Sequence, residues 1–332
     1  MATLAVSNPT LLDLAKLLDP DGKIAAVVEI LNQTNEILDD MTWVEGNLPT
    51  GHRTTVRTGL PAPTWRKLYG GVQPTKGNTA QVTDNCGMLE AYAEVDKALA
   101  DLNGNTNEFR LNEDRAHIEG MNQELAETLF YGNEGTEPEA FTGLAPRYND
   151  LSAPNKDNII DAKGSGNDNA SIWLVCWSPT TVHGIIPKGS TAGLQVNDKG
   201  QVTIENVDGA GGRMEAYRTH YRWDAGLTVR DWRYVVRICN ISKSALTADA
   251  SSGPNLPALM FEAMEIIPNL GMGRPVFYMS REVRTKFRQQ LAAATKSSTL
   301  TFENVGGRRT MLFQDIPIRR CDALSADEAL VV

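Results

Sequence analysis

The spacing of hydrophobic residues alternates along this chain between helical and strand periodicity, which predicts a mixed α+β protein. The longest helical pattern covers residues 108–131, and Gly132 follows it as a stop signal. Its apolar positions recur at helical spacing and are Leu111, Ile118, Met121, Leu125 and Leu129. We therefore expect one long helix with a single apolar stripe, roughly 36 Å in length at ~1.5 Å per residue.

Shorter helices and several strands are predicted elsewhere. Helical spacing recurs over residues 24–38, 257–267 and 280–294. Alternating or continuous apolar runs predict strands at 88–96, 172–177, 217–224, 232–238, 276–279, 300–302 and 311–318. Within 217–238 aromatic residues alternate with arginines, so we expect strands with an aromatic inner face and an arginine outer face.

Residues 46–83 follow neither periodicity for long. They are rich in Gly, Pro and Thr, and they hold too few large apolar residues to form a core of their own. A loop of this length without structure is unusual inside a compact domain. We therefore expect an extended, two-stranded excursion that lies on another protein surface.

The formal net charge of −9 is unevenly distributed. Residues 46–83 contain no Asp or Glu, and their basic residues are Arg53, Arg57, Arg66, Lys67 and Lys76. Residues 89–139 contain thirteen acids and three bases, a net charge of −10. Charge complementarity predicts that the basic excursion docks on the acidic segment, and it does not distinguish a second copy from the same chain.

The sequence contains no motif that indicates catalysis, a cofactor or a metal site, so we expect a protein that is not an enzyme. Phosphate loops, dinucleotide fingerprints and nucleophile elbows are missing. The pairs Asp39-Asp40 and Glu113-Asp114 fall on predicted helices and are interpreted as solvated faces. The scattered cysteines, which indicate buried, reduced thiols without zinc-ligand spacing, are Cys86, Cys176, Cys239 and Cys321.

Residues 213–237 combine six arginines with five aromatic residues, and such a segment can stack bases and hold phosphates. Strict alternation, however, places rings and arginines on opposite faces, whereas a stacking platform needs both on one exposed face. The acidic net charge also opposes a dedicated DNA-binding protein. We expect buried rings with a solvated arginine face.

The chain begins without the basic and apolar pattern of a signal peptide. No uninterrupted apolar run approaches the roughly 18–20 residues of a membrane helix. We therefore expect a soluble protein that is made in the cytoplasm and has no membrane partner.

The order of these segments resembles that of tailed-bacteriophage major capsid proteins with the Hong Kong 97 fold. An arm and a basic excursion precede the alternating strand LEAYAEVDKALADL and the long acidic helix. The turn FTGLAP at 141–146, the segment PVFYMSREVRTKFRQQL at 275–291 and the closing strand FQDIPIRRCDAL at 313–324 follow. Asp315 stands where many members have glycine, and about one hundred β-rich residues are interposed, which leaves a rearranged strand order open.

The resemblance implies a division of the chain into named parts. They are an N-terminal arm (1–45), an extended loop (46–83), a peripheral domain (84–149) with its spine helix (108–131), a β-rich axial domain (150–300) and C-terminal strands that return to the peripheral domain (301–332).

The resemblance also implies a structural virion subunit that self-assembles, in the host cytoplasm, into pentamers and hexamers of an icosahedral shell around double-stranded DNA. Its implied partners are a portal protein and, loosely, the packaged DNA. The arm of about forty residues is shorter than the scaffolding segment of some members, so we infer a separate scaffolding protein, and we leave a cement protein open. The alternatives are a non-viral compartment shell of the same fold and a DNA-binding or tail-associated virion protein.

The expected inter-subunit contacts join the excursion of one copy to the acidic helix of another. The basic residues expected in this contact are Arg53, Arg57, Arg66, Lys67 and Lys76. The acidic residues expected to face them are Glu113, Glu119 and Glu124. Apolar burial is expected at Trp65, Leu68 and Tyr69. Gly120 interrupts the long helix and is a hinge candidate that lets the helix bend in a precursor shell and straighten later.

Overall fold

The computed structural model describes residues 35–101, 106–206, 210–248, 253–293, 300–305, 308–325 and 327–332. The helices in these residues are α1 (Ile37–Asp40), α2 (Lys97–Ala100), α3 (Thr106–Tyr131), α4 (Leu256–Ile266) and α5 (Arg281–Ala293). The strands are β1 (Trp43–Glu45), β2 (Gly51–Gly59), β3 (Asn78–Asp96), β4 (Ile159–Asp161), β5 (Asn169–Trp177), β6 (Val182–Ile186), β7 (Gln195–Glu205), β8 (Arg213–Val229), β9 (Val235–Ser242), β10 (Arg274–Met279), β11 (Leu300–Val305), β12 (Arg308–Phe313) and β13 (Ile316–Arg320). Most of the arm helix predicted over residues 24–38 lies outside the described residues.

The chain forms two compact units, each assembled from separate segments of sequence. Among the described residues, the smaller unit contains Met88–Ala126 and Thr191–Asp224. The larger unit contains Asn35–Gly87, Glu127–Ser190 and Ala225–Val332. The elements β3, α3 and β8 each contribute residues to both units.

The larger unit is built on a mixed sheet covered by two helices. Its strands follow the order β11-β12-β13-β10-β5, and β5 also pairs with β9, which pairs in turn with β4. β5 and β9 are buried along their whole length, as expected for strands with both faces covered. α4 and α5 pack on this sheet through apolar side chains that include Met260 and Phe287.

The smaller unit combines a β-hairpin with part of the long helix. β7 and the first part of β8 pair in antiparallel register from Gln195↔Arg222 to Glu205↔Arg213. Phe109 packs with Val95 in one small buried cluster, and Met121 packs with Ala93 and Tyr221 in another.

The helix predicted over residues 108–131 is confirmed as α3, which begins at Thr106 and ends at Tyr131. The C-terminal part of its apolar stripe is buried, with Met121, Leu125 and Leu129 at most 4% exposed. The N-terminal part is not, because Leu111 is 50% exposed and Ile118 is 39% exposed. The helix therefore presents two large aliphatic side chains to solvent in the single chain.

Two strand predictions are corrected. The predicted strand 311–318 is two strands, β12 and β13, joined at Gln314 and Asp315, which adopt positive φ angles of 47° and 64°. The predicted strand 232–238 begins only at Val235, because Trp232–Tyr234 forms a 3-10 turn. The Asp231 side chain caps that turn by accepting a hydrogen bond from the Arg233 amide at 3.1 Å.

Two charged residues interpreted as solvated are buried. Asp40 is 1% exposed and accepts hydrogen bonds from Arg319 Nε at 3.1 Å and from the Tyr278 hydroxyl at 3.2 Å. Burial raises the pKa of the Asp40 carboxyl, while Arg319 acts in the opposite direction. Arg237 is 4% exposed and pairs with Glu328 Oε2 at 2.7 Å, because both faces of β9 are covered.

Three of the four cysteines behave as buried apolar side chains, and the prediction of a buried thiol is wrong for Cys86, which is half-buried. Cys176, Cys239 and Cys321 are fully buried. Burial raises the pKa of the first two thiols to about 11 and that of the third to about 12. These thiols are therefore protonated and unreactive at neutral pH.

Candidate inter-subunit interface

The basic excursion is a β-hairpin with a long connecting loop. β2 and the first part of β3 pair in antiparallel register from Gly51↔Asn85 to Gly59↔Asn78. Residues 60–77, which we call the connecting loop, pair with no strand in the part of the chain that the structure describes. The predicted two-stranded excursion with irregular parts is thus confirmed.

The base of the hairpin is held by an ion pair between a buried carboxylate and a half-buried guanidinium. Arg147 Nη1 lies 2.8 Å from Asp84 Oδ1, and Asp84 is buried. The other nitrogens of Arg147 donate to the carbonyl oxygens of Gly143 at 3.1 Å and Leu227 at 3.3 Å. Because the guanidinium donates both to backbone carbonyls and to Asp84 on β3, it holds the base of the hairpin in place.

Two histidines also meet at the base of the hairpin. The rings of His52 on β2 and His183 on β6 lie edge to face, with centroids 5.7 Å apart. His183 is fully buried, and burial lowers its pKa to about 4, with the charges of His52 and Arg230 acting in the same direction. Burial also lowers the pKa of His52. Both rings are therefore neutral at pH 7.

The connecting loop exposes a set of large apolar side chains. Each is at least half exposed, and they are Leu60, Trp65, Leu68, Tyr69 and Val72. Trp65 and Tyr69 are as exposed as in a free peptide. Tyr69 sits in a turn closed by the Gly70 amide donating to the Lys67 carbonyl at 3.0 Å, and it adopts a φ of 65°. A contiguous apolar segment of this kind marks an interaction surface.

The five predicted basic residues lie on this same hairpin and are exposed. Arg53 and Arg57 are on β2, and Arg53 Nε donates to Thr83 Oγ1 on β3 at 3.2 Å. Arg66, Lys67 and Lys76 are in the connecting loop. The structure therefore brings the basic and apolar members of the predicted interface together on one excursion.

The predicted acidic partners lie on α3, in the smaller unit. Glu124 is exposed, whereas Glu113 and Glu119 are half-buried, and Glu119 Oε1 accepts a hydrogen bond from Gln123 Nε2 at 2.8 Å. Their pairing with the hairpin of a second copy stays a prediction. Sequence reasoning missed Leu111 and Ile118 as candidates on the same helix, because helical spacing identifies an apolar stripe without identifying what covers it.

The arginine-rich strands are neutralised by neighbouring carboxylates. Arg218 lies 2.6 Å from Glu94, Arg222 lies 2.9 Å from Asp224, and the buried Arg237 pairs with Glu328. Phosphate binding would require these pairs to break, so this segment is a poor candidate for a nucleic-acid site. Within the described residues, no group of three or more metal-ligating side chains occurs, and no helix is long and apolar enough to cross a membrane.

Comparisons with known proteins show the family of this chain. The family model for major capsid protein GP7 matches residues 19–332. A chain in the cryo-EM structure of bacteriophage Epsilon15 is 40% identical, with a TM-score of 0.79 and complete coverage of both chains. The capsid of bacteriophage JBD30 is 9% identical, with a TM-score of 0.46, over 96% of this chain and 99% of that one. No curated protein sequence matches this chain. The chain belongs to the major capsid protein GP7 family and is a structural subunit of a tailed-phage capsid with the Hong Kong 97 fold.

Proposed function

We propose that this chain assembles into pentamers and hexamers of an icosahedral shell around double-stranded DNA, and that the hairpin of residues 46–83 in one copy lies on the acidic α3 of another. The observation that carries this proposal is the connecting loop, which exposes Trp65 and Tyr69 completely beside basic residues. A single folded chain gains nothing from exposing such side chains, whereas a second copy would bury them.

The named parts of the chain follow from the same proposal. Residues 1–45 form the arm, 46–83 the extended loop, 84–149 the peripheral domain and 150–300 the axial domain, with 301–332 returning to the peripheral domain. The hydrogen bond from the Tyr131 hydroxyl to Glu328 Oε1, 2.6 Å long, supports this return, because it joins the end of the spine helix to the C-terminal segment.

The proposed partners are copies of the chain itself, a separate scaffolding protein, a portal protein and, loosely, the packaged DNA. Assembly takes place in the host cytoplasm, and the protein has no catalytic role. The net charge of −9 supports a loose rather than a tight contact with DNA, because an acidic container wall repels phosphate. A cement protein stays open.

Reversing two charges of the connecting loop should weaken assembly. We expect Arg66→Glu/Lys67→Glu to raise the concentration needed for shells by at least about tenfold, since attractive contacts become repulsive in every copy. Sedimentation of assembled particles measures this concentration. The exposed residues Lys156 and Lys199 supply a matched control, because their reversal to Glu changes the net charge equally outside the hairpin.

A mixing experiment distinguishes docking on a second copy from folding back. The loop-reversed chain is mixed with a chain that carries Glu119→Lys/Glu124→Lys. If each loop meets a neighbour, the mixture forms shells that neither chain forms alone, because opposite charges face each other again. If the mixture stays unassembled while a single chain with all four changes assembles, the loop docks on its own body.

The hinge proposed at Gly120 has its own test. A Cβ at this position would meet no atom within 4 Å, so Gly120→Ala introduces no clash. Alanine should stabilise α3 by about 1 kcal/mol and oppose bending. We expect precursor shells of this variant to expand more slowly, as followed by light scattering. Expansion at the wild-type rate would contradict a hinge at Gly120.

A further inference from the structure

A shallow depression lies beside the middle of α3 in the smaller unit. Its volume is about 330 Å³, and it opens at the protein surface between α3 and β3. Its lining is mainly apolar and comes from Leu89, Ala91, Ala116, Met121 and Gly120, with His117 and Glu124 as the polar members. Its lining includes Gly120, the hinge candidate, and Glu124, one of the predicted acidic partners of the hairpin.

The depression exists because α3 carries small residues at two positions one turn apart. Ala116 and Gly120 are both exposed, and a Cβ on Gly120 would meet nothing within 4 Å. Glycine inside a helix lowers helix stability relative to alanine, so the open space beside Gly120 is accompanied by a locally less stable helix. Met121 is buried on the same helix and also lines the depression.

The hairpin carries a side chain whose chemistry suits this apolar depression. The Trp65 side chain is fully exposed in the connecting loop. Its indole is wide and apolar, and aromatic rings pack favourably against methionine sulfur. Its single N–H can donate to His117 or to Glu124 at the rim, whereas the other surfaces of the indole need no polar partner.

Charge favours the same pairing. Arg66 follows Trp65 directly, and the whole of residues 46–83 contains no acid. The depression lies on the acidic helix, with Glu124 in its lining and Glu119 next to Gly120. An indole in the depression would therefore place the Arg66 guanidinium near carboxylates. Because the hairpin contains no acid, it brings no negative charge close to those carboxylates.

We propose that Trp65 of one copy inserts its indole into the depression beside Gly120 on α3 of a second copy. This inference rests on the proposed docking of the hairpin on a neighbour, and it identifies the anchor of that contact. Gly120 then serves as a receptor for a side chain, since a long side chain there would fill the space that the indole occupies. Buried tryptophans of this kind dominate the energetics of protein interfaces.

A double-mutant cycle tests the pairing. Trp65→Ala removes the indole, and Gly120→Leu fills its receptor; each should raise the concentration needed for shells by roughly tenfold or more. Because both changes remove the same contact, the double variant should need no higher a concentration for shells than the single variant with the larger effect. Fold increases that multiply in the double variant would overturn the proposal. Tyr69→Ala is the matched control, and its effect should multiply with that of Gly120→Leu.

A second measurement separates this proposal from the docking on which it rests. A benzophenone amino acid replaces Trp65, and shells are co-assembled from isotopically light and heavy chains before irradiation. Crosslinks from a light chain to residues 116–124 of a heavy chain support the proposal. Crosslinks to other residues of a heavy chain overturn it while leaving the docking intact. Crosslinks confined to a single chain overturn both.

Because Trp65 and Gly120 are both exposed, their substitution should affect assembly without affecting the stability of the unassembled chain. Trp65 and Gly120 are exposed in the single chain, so neither substitution should lower the unfolding midpoint of the unassembled protein. A change in assembly without a change in that midpoint assigns the effect to the interface. If the midpoint of Gly120→Leu falls, Gly120→Met supplies a flexible side chain that fills the same space.

Discussion

Glu328→Ala should lower the free energy of unfolding by about 3–5 kcal/mol, because it leaves a guanidinium buried without its counter-ion. Arg237 Nη2 lies 2.7 Å from Glu328 Oε2, and both side chains are at most 6% exposed. Arg237 also donates to the Tyr148 carbonyl at 2.8 Å and lies over the Trp173 ring at 5.1 Å. Those contacts hold the charge in place after the carboxylate is removed. Urea unfolding of the unassembled chain at pH 7 measures the loss.

Two further variants identify the origin of that loss. Arg213→Ala breaks an ion pair with Glu205 in which both side chains are 68% exposed, and it should change the free energy of unfolding by less than about 1 kcal/mol. Arg237→Met/Glu328→Leu replaces the buried pair with apolar residues and should recover much of the stability. A double variant as unstable as Glu328→Ala would contradict an unpaired buried charge as the cause.

Acid should destabilise the chain through His183 by about 3 kcal/mol between pH 7 and pH 4. The folded-state pKa of about 4 lies below the ordinary value of 6.5, so the unfolded chain binds the proton first as the pH falls. Stability is therefore lost progressively below pH 6.5. Replacing His183 with Leu removes this contribution, and the difference in unfolding free energy between wild type and variant should change by that amount over the same range.

Val182→Ala separates this titration from packing. Val182 is the neighbouring residue on β6 and is fully buried, so its truncation removes apolar contacts and no proton site. Its stability deficit should be nearly the same at pH 7 and pH 4. An equal pH dependence in wild type and His183→Leu would place the acid sensitivity elsewhere in the chain.

Much of the fold could be predicted from the sequence where local signals and burial agree. α3 and α5 were located within two residues at each end, since their apolar spacing and flanking residues are strong. The boundary between β12 and β13 was missed because no glycine marks it: Gln314 and Asp315 take positive φ angles that non-glycine residues adopt uncommonly. Local sequence favours one continuous strand there, and tertiary pairing overrides it.

Long-range ion pairs set the limit for individual side chains. Asp40 meets Arg319, and Arg237 meets Glu328, across separations of about ninety residues or more, and no spacing rule connects such positions. A lone charged residue was therefore interpreted as solvated. The excursion of residues 46–83 was easier to identify from the sequence, because composition and charge are properties of a whole segment and do not depend on which residues pair. The depression at Gly120 could not be predicted from the sequence, because its shape depends on how small side chains of α3 and β3 lie together in the folded chain.

The connecting loop also has a consequence for how shells grow. Its side chains extend into water in the free chain, and each contact must immobilise them before it gains their burial. Under the proposed docking on a neighbour, a single contact would therefore be weaker than its buried area suggests. Weak individual contacts would let a wrongly placed subunit detach before its neighbours trap it, so the proposed docking would also permit errors to be corrected during growth.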